Sequence, residues 1–319
     1  MRRRLTAFSL PLLAVLALAA PAGAASFSYP DFASTTGLTL SGSAVQDGNL
    51  LRLTKAEGMK SGRAFRTEPV DLQQSFETSF AISMHDSTCC IVGTLKPADG
   101  MAFVLQSKGP TAGEGTGGSL GYGGIAPSIA VEFDIFTNVG DPATDHVGIV
   151  VDGNTVSHLQ CANASGPTPP CTGSLPSPLY GAPVYAWVEY DAATQHLKVF
   201  VSQSIVKPAA PVLDQQVSMT PLGASAYAGF TAATGSHNSV HDVLSWSFNP
   251  PPPVPTPAPI SDPVKKTPQC PQPKSKGKKK GQGKKAGASK AKGKAKGKGK
   301  GKKCGKKKAK GKGKGKGGK

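Results

Sequence analysis

Five side chains that can bind metal ions stand close together in the segment Val131–His146. They are three carboxylates, an amide and an imidazole: Glu132, Asp134, Asn138, Asp141 and His146. Carboxylates are costly to bury unless they are paired or bind a cation. Calcium takes about six to eight oxygen ligands, whereas an ion such as Mn²⁺ also accepts imidazole. The segment therefore predicts one or two bound cations, and the alternative is a solvated acidic loop with a surface histidine.

The segment has the pattern of a strand followed by a loop. Alternation along a strand places Glu132 and Asp134 on one face. The opposite face suits a hydrophobic core because it carries Val131, Phe133 and Ile135. The chain then turns at Gly140–Pro142, since an Asp-Pro pair initiates turns. We expect this turn to bring Asp141 and His146 back over the two carboxylates.

The chain from Ser26 to Phe248 has the pattern of an all-β fold. Short apolar runs alternate with clusters of Gly, Pro, Ser and Asn, and we find no amphipathic helix longer than about three turns. About 220 residues is an ordinary length for one β-sandwich. The predicted strands are Ser79–Ile82, Met101–Leu105, Ile129–Phe136, His146–Val151, Val184–Asp191, His196–Ser202 and Val243–Phe248, and the pair Val184–Asp191 and His196–Ser202 forms a hairpin.

The N-terminus has the three parts of a secretory signal peptide. Arg2–Arg4 is basic, Phe8–Ala20 is apolar, and Ala22–Ala24 fits cleavage after its last residue. The apolar run is too short for a transmembrane helix, and no other stretch has about 18 consecutive apolar residues. We therefore expect residues 1–24 to be removed and the protein to be secreted, extracellular or associated with the cell surface.

Charge divides the remaining chain into an acidic part and a basic part. Of the 37 Lys and Arg residues, 25 lie in Val264–Lys319, whereas Ser26–Phe248 holds 9 of them and 18 of the 19 acidic residues. We predict a folded domain over 25–249, a Pro-rich linker over 250–263 and a Lys/Gly-rich basic tail over 264–319. The tail has no aromatic residue and almost nothing apolar to bury, so we expect it to be disordered.

The tail is a polycation, which predicts polyanionic partners. Lys-rich arms bind polyanions by releasing counterions, with strong salt dependence and little sequence choice. For an exported protein these partners are anionic cell-surface polymers or extracellular polyanions such as acidic polysaccharides and released DNA. The alternative is a solubilising arm without a partner.

The chain has six cysteines, which an oxidising compartment would allow to pair. Cys161 and Cys171 bracket a short loop rich in Pro and Gly, and we predict a disulfide between them. The neighbours Cys89 and Cys90 could pair with each other or elsewhere, and the two tail cysteines could pair or link chains. A zinc site is the weaker alternative, because no histidine stands at ligand spacing from these cysteines.

Beyond these patterns, Val131–His146 resembles the metal-binding strand and loop of the legume-type (L-type) lectins, in their bacterial secreted form. Further stretches are similar to family segments in the same order: Pro97–Gln106, Gly117–Ile125, Ala186–Asp191, Gly229–Gly235 and His241–Phe248. The resemblance covers nearly all of Ser26–Phe248 and does not reach the tail. It implies a concanavalin-A-like jelly-roll β-sandwich and a non-enzymatic lectin that binds glycans and can form homodimers.

The resemblance implies two neighbouring metal sites. Calcium would be bound by Asp134, Asn138, Asp141 and the backbone carbonyl of Phe136. Mn²⁺ or another transition-metal ion would be bound by Glu132, Asp134, Asp141 and His146. Both ions would support recognition rather than catalysis.

The resemblance also implies a sugar site beside the metals, formed by Asp99, Gly117, Gly118, Phe136, Asn138, Ser236 and His237. Asp99 would be the central ligand, because a carboxylate accepts hydrogen bonds from two adjacent hydroxyls. Its peptide bond with Ala98 is expected to be cis. The Asn138 amide and one backbone N–H from Gly117 or Gly118 would donate to the same hydroxyls. Glycine suits that place because the backbone must approach the ligand closely.

The outer part of the implied site consists of one ring and one loop. Phe136 would present its ring to the apolar face of the sugar, and Ser236 and His237 would lie on the loop that sets specificity. Many plant members have Trp where this chain has Gly140, and Asp86–Lys96 is unlike the plant proteins. The resemblance allows mannose or glucose as well as galactose.

Two other functions fit parts of the sequence. Jelly-roll glucanases of the laminarinase type carry paired carboxylates on one strand, as E-x-D-x-x-E or E-x-D-x-E. Glu132 and Asp134 match the first two positions. Phe136 and Thr137 stand where the second catalytic carboxylate is needed, which argues against hydrolysis.

The other alternative is a structural adhesin whose sugar site is vestigial. Such a protein would have lost the central sugar ligands Asp99 or Asn138, but both are present in this sequence.

Overall fold

A computed structural model describes residues 26–249 except 89, 92–93, 143–144 and 168, and describes residues 90, 91, 94 and 95 by their backbone alone. The chain divides into two units, Met1–Pro255 and Thr256–Lys319, and every described residue lies in the first. The predicted signal peptide, linker and basic tail lie outside the described residues. Within those residues, no helix has the length and apolar character needed to cross a membrane.

The described chain consists of β-strands joined by loops, with two short 3₁₀ turns at Gly117–Ser119 and Thr220–Leu222. The strands are β1 (Phe27–Tyr29), β2 (Leu38–Gly42), β3 (Val45–Asp47), β4 (Leu50–Thr54), β5 (Ser61–Arg66), β6 (Val70–Asp71), β7 (Phe76–His85), β8 (Cys90–Ile91), β9 (Thr94–Leu95), β10 (Gly100–Gln106), β11 (Ser128–Asp134), β12 (His146–Val151), β13 (Gln160–Asn163), β14 (Gly173–Ser174), β15 (Val184–Asp191), β16 (His196–Ser202), β17 (Leu213–Gln216), β18 (Ser225–Ala233) and β19 (Val240–Phe248).

Most of these strands form two sheets. The front sheet has nine strands in the order β14-β13-β12-β11-β10-β18-β5-β2, with β6 also paired to β18. The back sheet has eight strands in the order β17-β16-β15-β7-β19-β4-β3, with β1 also paired to β19. A separate hairpin joins β8 and β9. The central strands are antiparallel to their neighbours, so alternate strand ends meet at the same edge.

The two sheets pack face to face around aromatic side chains. Trp246 on β19 lies 4.9 Å from Phe230 on β18, and Phe80 on β7 lies 5.6 Å from Phe103 on β10, measured between ring centroids. The Trp246 indole N–H donates to Thr78 Oγ1 at 2.9 Å, so this buried polar group is satisfied. The predicted all-β sandwich is confirmed.

Each predicted strand overlaps an observed one. Several observed strands extend beyond the predicted bounds, and β11 is the one that ends earlier than predicted. The pattern extended this strand to Phe136, but it ends at Asp134. Asp134 Oδ1 accepts a hydrogen bond from the Phe136 N–H at 2.7 Å, and such an aspartate turn takes the chain out of the sheet. Val131, Phe133 and Ile135 lie in the core, as the alternation predicted.

A second apolar cluster covers the outer face of the front sheet. Leu120, Tyr122 and Ile125 pack there against side chains of the sheet, namely Phe65, Ala102, Val104, Ala130 and Val150. These contacts anchor the loop that follows β10. The same loop carries Gly117 and Gly118, so the cluster determines where those glycines lie.

The disulfide between Cys161 and Cys171 is present, as predicted, with the two Cα atoms 4.5 Å apart. It joins β13 to the segment that leads into β14. Cys89 and the two tail cysteines lie outside the described residues, so their pairing stays a prediction.

Candidate functional site

Four strand ends meet at one edge of the front sheet. Gly100, at the start of β10, lies opposite Asp134 at the end of β11 and opposite Ala233 at the end of β18. Asp134 in turn lies opposite His146, which begins β12. The antiparallel register therefore gathers side chains that are far apart in the sequence.

Asp99 is fixed at this edge by its backbone. Its N–H donates to the Ala233 carbonyl at 3.1 Å, and its carbonyl accepts from the Ile135 N–H at 2.9 Å. The peptide bond between Ala98 and Asp99 is cis, as the resemblance implied. Asp99 is thus held between β11 and β18.

Three carboxylates lie close together beside Asp99. Glu132 and Asp134 are almost fully buried, with 1% and 3% of their surfaces exposed. Burial raises the pKa of Asp134 well above its usual range, and the nearby Glu132 charge adds to the rise. Burial also raises the pKa of Asp141, which is partly offset by a backbone hydrogen bond. A divalent cation would relieve this repulsion and desolvation, so the group fits a metal site.

The loop after β11 holds Asn138 and Asp141 against each other. Asp141 Oδ2 accepts from the Asn138 N–H at 2.8 Å, and the Asp141 N–H donates to the Asn138 carbonyl at 3.2 Å. Asn138 Oδ1 is buried and has no hydrogen-bond partner among the described residues. Buried carbonyl oxygens are normally satisfied, so this atom fits a cation that prefers oxygen ligands.

Glu132 is the centre of a cluster that the sequence revealed only in part. The Nε2 atoms of His146 and His158 both contact Glu132 Oε1, the first at 3.2 Å. Burial would raise the pKa of Glu132, but the hydrogen bonds from the two histidines outweigh burial and hold it at about 2. We call Glu132, His146 and His158 the His-Glu cluster, and their donor atoms all lie within 4.8 Å of one another.

His158 and Tyr122 are the residues that sequence reasoning missed at this site. The Tyr122 hydroxyl donates to Glu132 Oε2. Burial raises the pKa of Tyr122 well above its usual range, which keeps it a neutral donor. Both residues come from loops whose distance from Glu132 depends on strand pairing, and no local motif marks them.

Two glycines lie close to the Asp99 carboxylate, and a third, Gly118, lies against the Asn138 side chain. Gly235 follows β18, and a β-carbon placed on it would lie 3.2 Å from Asp99 Oδ2 and 3.2 Å from Gly117 Cα. The Gly117 N–H donates to the Thr234 carbonyl at 3.0 Å, which ties the glycine loop to β18. We call Gly117, Gly118 and Gly235 the glycine cradle.

The Asp99 carboxylate is mostly buried but not fully satisfied. Burial raises its pKa to about 6, although the Gly235 backbone and the Asn138 side chain oppose the rise. The Gly235 N–H also donates to the His237 carbonyl at 3.1 Å. Asp99 Oδ2 is a buried atom without a hydrogen-bond partner among the described residues. This arrangement leaves an acceptor available to a ligand with hydroxyl groups.

The remaining residues of the predicted sugar site, Phe136, Ser236 and His237, lie together next to Gly235. The Phe136 ring stacks on the His237 ring with centroids 5.0 Å apart. Ser236 Oγ lies 3.2 Å from His237 Nδ1. The structure therefore brings all the residues of the predicted sugar and metal sites to one end of the sandwich.

Known proteins with similar sequences and folds include lectins and lectin-like receptors. The chain is 31% identical over 222 residues to the L-type lectin-domain containing receptor kinase V.9 of Arabidopsis thaliana, covering 62% of this chain and 32% of the kinase. It is 33% identical over 232 residues to the basic agglutinin of Psophocarpus tetragonolobus, covering 64% of this chain and 86% of the agglutinin. The chain thus spans about a third of the length of the receptor kinases that it matches.

A solved structure has the same fold. The lectin from Bauhinia forficata in complex with GalNAc matches with a TM-score of 0.58 and 26% identity, covering 70% of this chain and 97% of the lectin. The jelly-roll sandwich that the resemblance implied is therefore confirmed.

The legume lectin domain family matches residues 24–262. The legume lectin domain binds carbohydrates and is not itself an enzyme, and legume lectins generally bind Ca and Mn. For this domain the prediction of a non-enzymatic lectin is confirmed, and the glucanase alternative is set aside. Since this match covers well over half of the chain, the chain belongs to the legume lectin family.

Proposed function

We propose that this protein is an exported lectin whose sugar site depends on bound calcium and on a neighbouring transition-metal ion. One observation carries the proposal. Two buried oxygen atoms without a partner among the described residues, Asp99 Oδ2 and Asn138 Oδ1, lie at the same end of the front sheet. One is suited to accept from a ligand and the other to bind a cation.

The two ions would be held by the residues that the resemblance implied. Calcium would take oxygens from Asp134, Phe136, Asn138 and Asp141, and Mn²⁺ would take Glu132, Asp134, Asp141 and His146. The raised pKa values of Asp134 and Asp141 support this assignment, because a cation would stabilise their ionised forms. The ions would keep the Asn138–Asp141 loop in place rather than take part in a reaction.

The sugar would bind over Asp99. Its carboxylate would accept from two neighbouring hydroxyls, and the Asn138 amide would donate to one of them. The Gly117 N–H is already used by the Thr234 carbonyl, so we assign the third donor to Gly118 rather than Gly117. Phe136 would cover the apolar face of the sugar ring.

Ser236 and His237 would border the sugar where specificity is set. The Bauhinia forficata lectin was solved in complex with GalNAc, so GalNAc and galactose are the first ligands to examine. The resemblance also allows mannose, so binding of mannose is the comparison that tests the sugar specificity.

Export and anchoring complete the proposal. Residues 1–24 would direct secretion, and the basic tail would bind anionic cell-surface polymers or extracellular polyanions. The charge contrast supports this division, because 25 of the 37 basic residues lie in the tail and 18 of the 19 acidic residues lie in the folded domain. The lectin domain would then present its sugar site from an anionic surface.

A homodimer is also part of the proposal. Ile205 and Val206, in the loop after β16 of the back sheet, are 74% and 70% exposed, and such apolar groups favour contacts between copies. Light scattering during size-exclusion chromatography measures the mass directly, and a strictly monomeric protein would contradict this part.

Glycan binding before and after chelation tests the main proposal. The protein is applied to a glycan array as prepared, after EDTA, and after calcium and Mn²⁺ are restored. We expect binding to be lost with EDTA and recovered with the ions. Binding that survives chelation, or no binding to any glycan, would contradict the proposal, and the second result would favour a structural adhesin.

A further inference from the structure

The His-Glu cluster contains one imidazole more than the proposed transition-metal site requires. Glu132 comes from β11, His146 begins β12, and His158 lies in the loop between β12 and β13. All three side chains are 1% exposed. Three different elements therefore bring metal-binding atoms into one buried place.

The fold makes room for His158 at a single position. Gly148 on β12 lies directly opposite Glu132 in the sheet register. A β-carbon at Gly148 would lie 2.9 Å from Glu132 Oε1 and 3.0 Å from His158 Nε2, and would collide with His158 Cδ2. The imidazole thus fills the space that a side chain would otherwise take. A hydrogen bond from the Leu159 N–H to the Ile149 carbonyl, 2.8 Å long, holds the loop beside β12.

The contacts of Glu132 favour a metal ligand over a simple ion pair. Tyr122 already donates to Oε2, which leaves Oε1 for both histidines. The two rings cross at 82° with centroids 5.0 Å apart, so their Nε2 atoms approach one oxygen without stacking. One histidine would be enough to pair a buried carboxylate, whereas two imidazoles and one carboxylate form a typical donor set for a divalent transition metal.

We infer that His158 is a further protein ligand of the transition-metal ion, in addition to those of the proposed site, and that it makes this site prefer Zn²⁺ to Mn²⁺. The inference rests on the proposed metal site. Imidazole suits zinc, whereas carboxylate and water suit manganese, and Mn²⁺ is the weakest binder in the usual order of divalent metals. The second imidazole changes the balance of donors in favour of zinc.

Zinc binding and histidine NMR test the inference on the full protein. The metal-stripped protein is titrated with Zn²⁺ or Mn²⁺, and the ¹⁵N shifts of the imidazoles are recorded with Zn²⁺. All six histidines lie between residues 85 and 241, so the tail adds no imidazole signals. His158→Gln assigns the signal and can still donate to Glu132. His196→Gln is the matched control, because His196 is 41% exposed and pairs with Asp214.

We expect the Nε2 signals of both His146 and His158 to move to metal-bound positions. His158→Gln should weaken zinc binding by at least about 10- to 100-fold, the loss found even when a residue that only orients a ligand is removed. It should weaken Mn²⁺ binding less, and His196→Gln should change neither. A shift of His146 alone, or a wild-type protein that prefers Mn²⁺, would overturn the inference.

The test separates this inference from the proposed function. Calcium- and Mn²⁺-dependent glycan binding without a His158 shift would leave the function standing and the inference wrong. Zinc-bound signals from both histidines in a protein that binds no glycan would support the inference and contradict the function. A protein that binds neither zinc nor manganese would contradict both.

Discussion

Gly118 lies directly against the side chain of Asn138. A β-carbon at Gly118 would come within 2.5 Å of Asn138 Oδ1 and 3.0 Å of Nδ2. The glycine loop is anchored by Leu120 and Tyr122 on the front sheet, so it cannot move away freely. Asn138 thus keeps its orientation because the opposite residue has no side chain.

We therefore expect Gly118→Ala to weaken sugar binding about tenfold or more, a change of roughly 1.4 kcal/mol. The added methyl group would displace the Asn138 amide from its proposed sugar and calcium contacts. Isothermal titration with the best glycan from the array measures the effect. Gly48→Ala is the control. Gly48 has a φ of +60°, so an alanine there destabilises the fold by about 1–2 kcal/mol at a place far from the site. Equal sugar binding by Gly118→Ala and the wild type would contradict the assignment.

Asp141→Ala should abolish sugar binding although Asp141 is not a proposed sugar contact. The change removes one proposed ligand from each metal ion and the acceptor of the Asn138 N–H. Calcium binding and glycan binding are measured together. Asp214→Ala is the control, since Asp214 is an exposed carboxylate on β17 that pairs with His196. Calcium-dependent sugar binding by Asp141→Ala would show that the ligand assignment is wrong.

The buried histidine His241 should make the protein less stable in acid. Burial lowers its pKa to about 3, whereas a histidine in the unfolded chain has a pKa near 6.5. Below about pH 6.5 the unfolded chain therefore binds a proton that the folded protein does not. The contribution of His241 to the free energy of unfolding is fully present above pH 6.5. It is lost as the pH falls towards 3, by up to about 1.4 kcal/mol per pH unit.

Urea unfolding at several pH values measures this contribution. His241→Asn removes the titrating group and keeps a polar atom near Thr54 Oγ1, which lies 2.6 Å from His241 Nδ1. We expect the free energy of unfolding of this variant to depend less on pH between about 4 and 6.5 than that of the wild type. The exposed His196→Asn variant should keep the wild-type slope. An unchanged slope in His241→Asn would mean that His241 titrates normally in the folded protein.

The tail should account for binding to polyanions. We expect the full protein to bind a heparin column at low salt and to elute with a steep salt dependence, because its lysines release counterions. Protein truncated after Pro250 should pass through the column while its glycan binding stays the same. Equal retention of the two proteins would show that the tail is not the anchor.

The sequence predicted the features that are local and failed on those that depend on distant pairing. Strands such as β12 and β15 were predicted to the residue because alternation and turn residues mark them. The end of β11 was misplaced by two residues, since the Asp134 turn competes with a run of apolar residues. His158 was missed because only the pairing of β12 with β11 and β13 brings it to Glu132.

The tail, the signal peptide and the sugar contacts stay predictions that rest on composition and resemblance. The structure does place Gly117 and Gly235 close to the Asp99 carboxylate, as the proposed sugar site requires. In the proposed site, the choice of sugar would depend on the side chains of Ser236 and His237, whose torsion angles no sequence pattern determines.

The gathering of four strand ends at one edge also means that the proposed sugar site is completed late in the life of the chain. The loop that carries Asn138 and Asp141 and its flanking strands are complete once β12 has been synthesised, but Gly235 follows β18, much further along. Pairing over such distances forms slowly, because the intervening chain must first be closed into a loop. If the protein is exported as proposed, a chain still in transit lacks the glycine cradle and cannot bind a sugar at the proposed site before its final strands are in place.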